Sequence, residues 1–196
     1  SQIFEYAPAL VVPALGVILA TIVFTLITTF AQMKITKKKM EISAKENGMT
    51  LLYHNHDFEF TSLEGELVIH RVLRELSEVL LPEPDLCWIS YGGVSPASFL
   101  KQYAGRVPVV HLKDYAGGKS EHMYELIGIE SEEKASEEKP FEFRPVGSGK
   151  QNFPAILEAA VEAGAQWVVV EQDQAYERAP IDAVTMSREY LKTLGW

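Results

Sequence analysis

The feature that most constrains this chain is a form repeated four times: a short apolar run ending in residues that bind metals or move protons. Its fullest instance is Leu51 to Phe60, LLYHNHDFEF, where Leu51, Leu52 and Tyr53 lead into His54, His56, Asp57 and Glu59. PDLCWISYGG at 84–93, VPVVHLKD at 107–114 and WVVVEQD at 167–173 repeat it. Short apolar runs of this length are buried strands. Parallel α/β sheets and barrels carry their chemistry at the carboxyl ends of such strands.

The segments between the strands read as helices. Lys37 to Asn47 ends at Gly48, and Leu67 to Leu80 is amphipathic, with Pro82 and Pro84 ending it and launching a strand over Asp85 to Ser90. Gly92 and Gly93 form a tight βα loop, and Ser95 or Pro96 opens a helix through Tyr103 with Gly105 closing it. Further helices cover about Phe153 to Ala163, closed by Gly164, and Ile181 to Leu194. Lys119 to Lys139 is too charged for a core and reads as a lid or solvated insertion. The alternation predicts an α/β fold: a partial (β/α) TIM-type barrel over residues 34–196, with about four βα units where a closed barrel needs eight. An open half exposes strand edges, so self-association or a missing half-barrel is expected.

Residues 1–33 are different in kind. From Tyr6 to Met33 there is no charge, and Lys34, Lys37, Lys38 and Lys39 follow at once. About 20 apolar residues cross a bilayer, so a transmembrane helix over residues 7–30 is expected. The lysines favour a cytoplasmic C-terminal side and a membrane-anchored cytoplasmic domain. A buried core helix would carry a polar face, and a signal peptide would have its basic cluster before the apolar run. The chain begins with Ser1, and a fragment or a fusion is one reading of that.

Net charge of −9 argues against a nucleic-acid surface, and the single cysteine, Cys87, against a disulfide or a Cys-rich zinc site. Imidazole and carboxylate together suit manganese, cobalt, zinc or iron, whereas an all-oxygen shell suits magnesium. Glu171 follows three valines, where an unpartnered carboxylate is costly, so a ligand or base role is expected. His54 and His56 point to the same face of a strand, which reads as a metal or polar pocket or else as hydrogen-bonded interior histidines. Asp85 either joins the site or merely opens its strand, and His111 is a ligand or half of a buried pair with Asp114. Gln172 and Asp173 read as rim. Gly147-Ser148-Gly149-Lys150 before a helix is either a phosphate cradle or a plain loop. Trp88 and Tyr91 line a sugar face or an aromatic core, and Cys87 reads as a small buried residue.

YHNHDFEF, DLCW with its following GG turn and proline, GRVPVVHLKD, PVGSGKQNFPAIL and WVVVEQD, in this order, resemble the sugar phosphate isomerase/epimerase family of xylose isomerase-like TIM barrels. That family includes inosose dehydratases and ketose 3-epimerases. The resemblance covers about residues 40–196 and corresponds to the C-terminal half of such an enzyme. It implies a divalent metal, manganese or cobalt first and magnesium or zinc as alternatives, acting on a small sugar or polyol. Asp85, His111 and Glu171 match the family's ligands, and His54 stands where many members have a first glutamate. It further implies proton transfer through an enediolate, with Glu171 as ligand and base, Lys113 as electrostatic partner and His56 as a second acid/base group. Isomerase, epimerase and dehydratase chemistry all remain open at this point, as does a catalytically inactive truncated barrel serving as a binding module.

Overall fold

The computed structural model describes residues 36–118 and 141–196. The chain divides into two compact units, Ser1–Thr50 and Leu51–Trp196. In the first, helix α1 covers residues 36–46. Gly48 takes φ of +61° and Met49 N–H returns to Ala44 O at 2.9 Å, the left-handed stop expected of a glycine there. No helix among the described residues is long and apolar enough to cross a membrane. The apolar run expected to span one, and the charged excursion at 119–139, lie outside the described residues.

In the second unit, strand β1 (Leu51–His54) is followed by a 3-10 turn (Phe58–Phe60) and a small hairpin, β2 (Ser62–Leu63) and β3 (Glu66–Leu67). Helix α2 (Val68–Glu75), strand β4 (Leu80–Glu83) and helices α3 (Leu86–Tyr91) and α4 (Pro96–Gln102) come next. Strand β5 (Val109–Leu112) precedes an antiparallel pair, β6 (Asp114–Ala116) with β7 (Glu142–Arg144). Helix α5 (Phe153–Glu162), strand β8 (Trp167–Val170) and helix α6 (Pro180–Thr193) complete it.

β1 pairs in parallel with β4, and β5 with β8. A parallel bridge between Asp85 and His111, with His111 N–H donating to Pro84 O at 2.9 Å, joins the two pairs. The strand order is therefore β1-β4-β5-β8, consistent with a partial barrel of four parallel strands. Alternation along the strands sends Val110, Leu112, Val168, Val170 and Tyr53 into a core with Ile69, Leu73, Phe99, Ile156 and Leu157. The opposite face carries His54 and His111, and Trp167 and Val169, which remain 69% and 39% exposed.

Three expectations are corrected here. The helix from Leu67 to Leu80 stops at Glu75, because Pro82 and Pro84 hold the residues before them extended and Leu80 is taken by β4 in register with Leu51. The strand over Asp85–Ser90 is instead the short helix α3. Asp85 is its N-cap, accepting from Cys87 N–H at 2.9 Å and Trp88 N–H at 3.1 Å. Gly92 and Gly93 consequently end a helix rather than forming a βα loop, and a Cβ at Gly92 would meet Phe60 at 2.7 Å.

Candidate metal centre

Four side chains converge at the carboxyl ends of the strands. His54 ends β1, Asp85 follows β4, His111 lies in β5 and Glu171 follows β8. One donor atom from each lies within 4.8 Å of the others. His54 Nε2 is 3.6 Å from Asp85 Oδ2, and His111 Nδ1 is 2.6 Å from Glu171 Oε2. All four expected ligands are thus brought together.

Asp85 is fully buried, and its two oxygens differ. Oδ1 caps α3, while Oδ2 is paired with Lys113 Nζ at 3.2 Å and has no further hydrogen-bond partner among the described residues. Burial pushes its carboxyl up to about 6, against the pull of Lys113 and the Trp88 amide. Asn55, also buried, brackets the Asp85 backbone by accepting from its N–H at 3.1 Å and donating to its carbonyl at 3.4 Å.

Burial first, and His111 next, push His54 down to about 4, so it offers a neutral lone pair. Burial also works against charge on His111, but Glu171 and then Glu83 outweigh it and hold the ring above its ordinary range. The hydrogen bond from His111 holds Glu171 well below the usual carboxylate range despite its burial, and Lys113 adds to this.

Lys113 is almost wholly buried at the centre of three carboxylates. Its Nζ lies 3.2 Å from Asp85 Oδ2, 3.0 Å from Glu171 Oε1 and 3.1 Å from Asp173 Oδ2. Burial alone would lower its pKa, but Asp85, Asp173 and Glu171 hold it above the ordinary value. It also sits 5.2 Å from the Trp88 ring centre and 5.6 Å from that of Phe143. Trp88, Tyr91, Tyr115, Phe141 and Phe143 form a buried aromatic cluster with Cys87. The Trp88 indole N–H has no partner within it. Burial raises the Cys87 thiol well above its ordinary range, so it stays a packed, protonated side chain.

His56 is not part of the four-donor group. β1 ends at His54, so the shared strand face argued for the two histidines does not exist. The Glu59 carboxylate accepts from His56 N–H at 2.9 Å and from the Tyr53 hydroxyl at 2.8 Å, turning the chain into the 3-10 turn. The His56 ring lies 5.5 Å from that of His54 and stacks on Phe58.

The glycine-rich loop holds an anion of the protein's own. Gly147 and Gly149 N–H donate to Asp114 Oδ2 at 3.1 and 2.7 Å, and Tyr115 and Gln151 N–H donate to Oδ1 at 2.9 and 3.3 Å. A Cβ at Gly149 would collide with that carboxylate. These amides are spent on Asp114, which removes the ground for a phosphate cradle and for Asp114 as the partner of His111.

Sequence reasoning passed over Glu83 and Asn55 and left Asp173 at the rim. Glu83 Oε1 lies 3.2 Å from His111 Nε2. Its position before Pro84-Asp85 was a usable signal once β4 was placed at Leu80–Glu83.

A divalent cation fits these residues. The donors are two imidazoles and two carboxylates, and the buried Asp85 Oδ2 has the Lys113 ammonium at 3.2 Å and His54 Nε2 at 3.6 Å as its polar neighbours. His54, Asp85, His111 and Glu171 would hold it.

Residues 34–194 match the model of the family described as xylose isomerase-like TIM barrel. An inosose dehydratase from Clostridium beijerinckii is 28% identical over 156 residues, covering 76% of this chain and 49% of that protein. One from Geobacillus kaustophilus is 29% identical over 159 residues, with 76% and 48% covered. Among solved structures, a sugar phosphate isomerase/epimerase from Parabacteroides distasonis superposes with a TM-score of 0.59 at 22% identity, covering 78% of this chain and 48% of that one. The probable 3-DHS dehydratase of petrobactin synthesis from Bacillus anthracis does so with 0.59 at 15% identity, covering 81% and 54%. The chain spans about half the length of the curated relatives it matches. With the family model spanning residues 34–194, this chain belongs to the xylose isomerase-like TIM barrel family.

Proposed function

We propose that the centre binds a divalent cation, manganese or cobalt in first place, and serves proton transfer on a small sugar or polyol. The reaction is that of an isomerase or epimerase passing through an enediolate, or of a related inosose dehydratase. The observation that carries this reading is the convergence of donor atoms of His54, Asp85, His111 and Glu171 within 4.8 Å of one another, with the Asp85 carboxylate fully buried. The inosose dehydratases among the relatives support the substrate class.

A divalent cation held by His54, Asp85, His111 and Glu171 would supply Lewis-acid polarisation of a bound carbonyl and so acidify the neighbouring C–H. The protein's own groups do the rest. Glu171 is kept ionised by His111 and Lys113, as a ligand must be. Lys113 keeps its proton and faces negative charge developing on a substrate oxygen. Asp173, raised by burial against the pull of Lys113, is better suited than Glu171 to take and return a proton. His56, beside His54 and half-buried, is a second carrier.

The test is thermal unfolding of the full chain with and without manganese or cobalt, beside Glu171→Gln and His111→Ala. Saturation at a hundred times Kd raises stability by about 2.7 kcal/mol. A rise in the wild type that disappears in both variants supports the centre, and a screen of ketoses and inososes then follows. No rise in folded wild type defeats it.

A second reading is a binding or interaction module without turnover, which would keep the four-donor centre and its buried lysine. Metal binding without conversion of any ketose or inosose would favour it. The exposure of Trp167 and Val169 supports the further proposal that self-association or a complementing half-barrel covers that face. The uncharged run at 7–30 and the lysines after it support an N-terminal membrane anchor with residues 34–196 on the cytoplasmic side.

A further inference from the structure

We infer that Glu83 is the positioning residue that decides which nitrogen of His111 meets the cation. The inference rests on the metal reading of the centre. Both ring nitrogens of His111 face carboxylates. Nδ1 lies 2.6 Å from Glu171 Oε2, and Nε2 lies 3.2 Å from Glu83 Oε1. The two acids are not equivalent, because Glu171 belongs to the four-donor group and Glu83 does not.

A neutral imidazole has one N–H and one lone pair. A cation needs the lone pair and a carboxylate outside the ligand set needs the N–H. In the metal-free chain both nitrogens are placed to donate; on binding, the cation takes the place of the Nδ1 proton shared with Glu171, and Glu83 retains the proton on Nε2. A histidine ligand whose second nitrogen donates to a carboxylate is held in one orientation and one tautomer, and it is the more basic for it.

The fold supports this division. Glu83 is the last residue of β4, in register with His54 across the β1–β4 pair. The next strand is locked beside it by the hydrogen bond from His111 N–H to Pro84 O and by the Asp85–His111 bridge. The side chains of His54, Glu83 and His111 therefore share one face of three successive strands. His111 and Glu83 are 16% and 22% exposed, so their contact is sheltered without being sealed. Pro84 separates Glu83 from Asp85, so neighbouring acids on one segment serve different ends, Asp85 toward the centre and Glu83 toward the ring that lines it.

The test uses the full chain labelled with 15N-histidine and titrated with zinc, which is diamagnetic and takes the same donors. His111 is assigned by its absence in His111→Gln. Long-range proton–nitrogen spectra are expected to give a zinc-loaded His111 with its proton on Nε2 and its metal on Nδ1. Glu83→Ala is expected to weaken zinc binding about 10–100-fold. Glu83→Gln, whose amide oxygen still accepts from Nε2–H, is expected to restore most of that loss. A loaded His111 protonated on Nδ1 overturns the inference, as does Glu83→Ala binding zinc as the wild type does. Absence of zinc binding in the wild type defeats the centre itself, and the inference with it. Normal binding that ignores Glu83 defeats only the role assigned to Glu83.

Discussion

Asp85 and Asp114 are two fully buried aspartates, one following β4 and one opening β6, and they do opposite things. Asp114 receives four backbone N–H groups from Tyr115, Gly147, Gly149 and Gln151, so both its oxygens are satisfied inside the chain. Asp85 spends one oxygen on a helix cap and turns the other to the side chains of a lysine and a histidine. Burial raises both carboxyls. The two sites therefore differ in how their oxygens are satisfied. An acid satisfied by its own backbone holds structure together, whereas one held by the side chains of a lysine and a histidine can exchange them for a ligand.

The comparison breaks most visibly at Asp114. Asp114→Ala leaves four backbone amides, one buried and three part-buried, without their acceptor and is expected to lower unfolding free energy by about 3 kcal/mol in urea denaturation. A loss below about 1 kcal/mol would mean that the loop finds other acceptors, and the structural role would fall.

Lys113→Met comes next. It leaves Asp85, Glu171 and Asp173 facing one another without their cation, at a cost of about 3 kcal/mol to the metal-free protein. Manganese should recover more stability in this variant than in the wild type, since the divalent cation replaces the lost charge. Thermal shifts in paired samples decide it, and an equal recovery would argue that Lys113 does not compete with the metal.

Asp85→Asn is expected to reverse the usual sign. A carboxyl whose folded pKa is raised binds its proton more tightly folded than unfolded. Its contribution is full below about 3.8 and lost as pH rises through about 6, so the ionised form is a cost at pH 7. Lys113 keeps two other acids in this variant. Metal-free Asp85→Asn should therefore match or exceed wild-type stability at pH 7, by up to about 2 kcal/mol, and lose that advantage toward pH 4. It should no longer respond to manganese. A large destabilisation at pH 7 would mean that Asp85 is structural after all.

Tyr103→Phe is the smallest test and a control outside both sites. It removes the hydroxyl 2.7 Å from His70 Nδ1, between α2 and α4, for about 1 kcal/mol in urea. The metal response should be unchanged.

Much of this was legible in the chain. The apolar runs at 51–54, 109–112 and 167–170 are strands, α4 and α5 lie where proline, serine and glycine signals put them, and α6 lies where a closing helix is expected. His54, Asp85, His111 and Glu171 do meet. What failed did so for identifiable reasons. Leu86, Cys87, Trp88 and Ile89 are all buried, so no periodicity separated a short core helix from a strand, and only the Asp85 cap and the preceding prolines mark it as a helix. His56 was placed by extending β1 past its end, where the Glu59 carboxylate turns the backbone. The Gly147–Gly149 loop carried the composition of an anion site, and the anion proved to be a side chain more than thirty residues earlier.

The sequence by itself determined which residue types end each strand, because apolar runs and their polar terminations are local patterns with local causes. Only the tertiary structure decided what each acid does. Asp85, Asp114, Glu83 and Glu171 are alike as residues. Their roles follow from which amides, rings and cations the fold brings within about 3 Å, and in a buried, low-dielectric setting those few contacts outweigh any intrinsic preference.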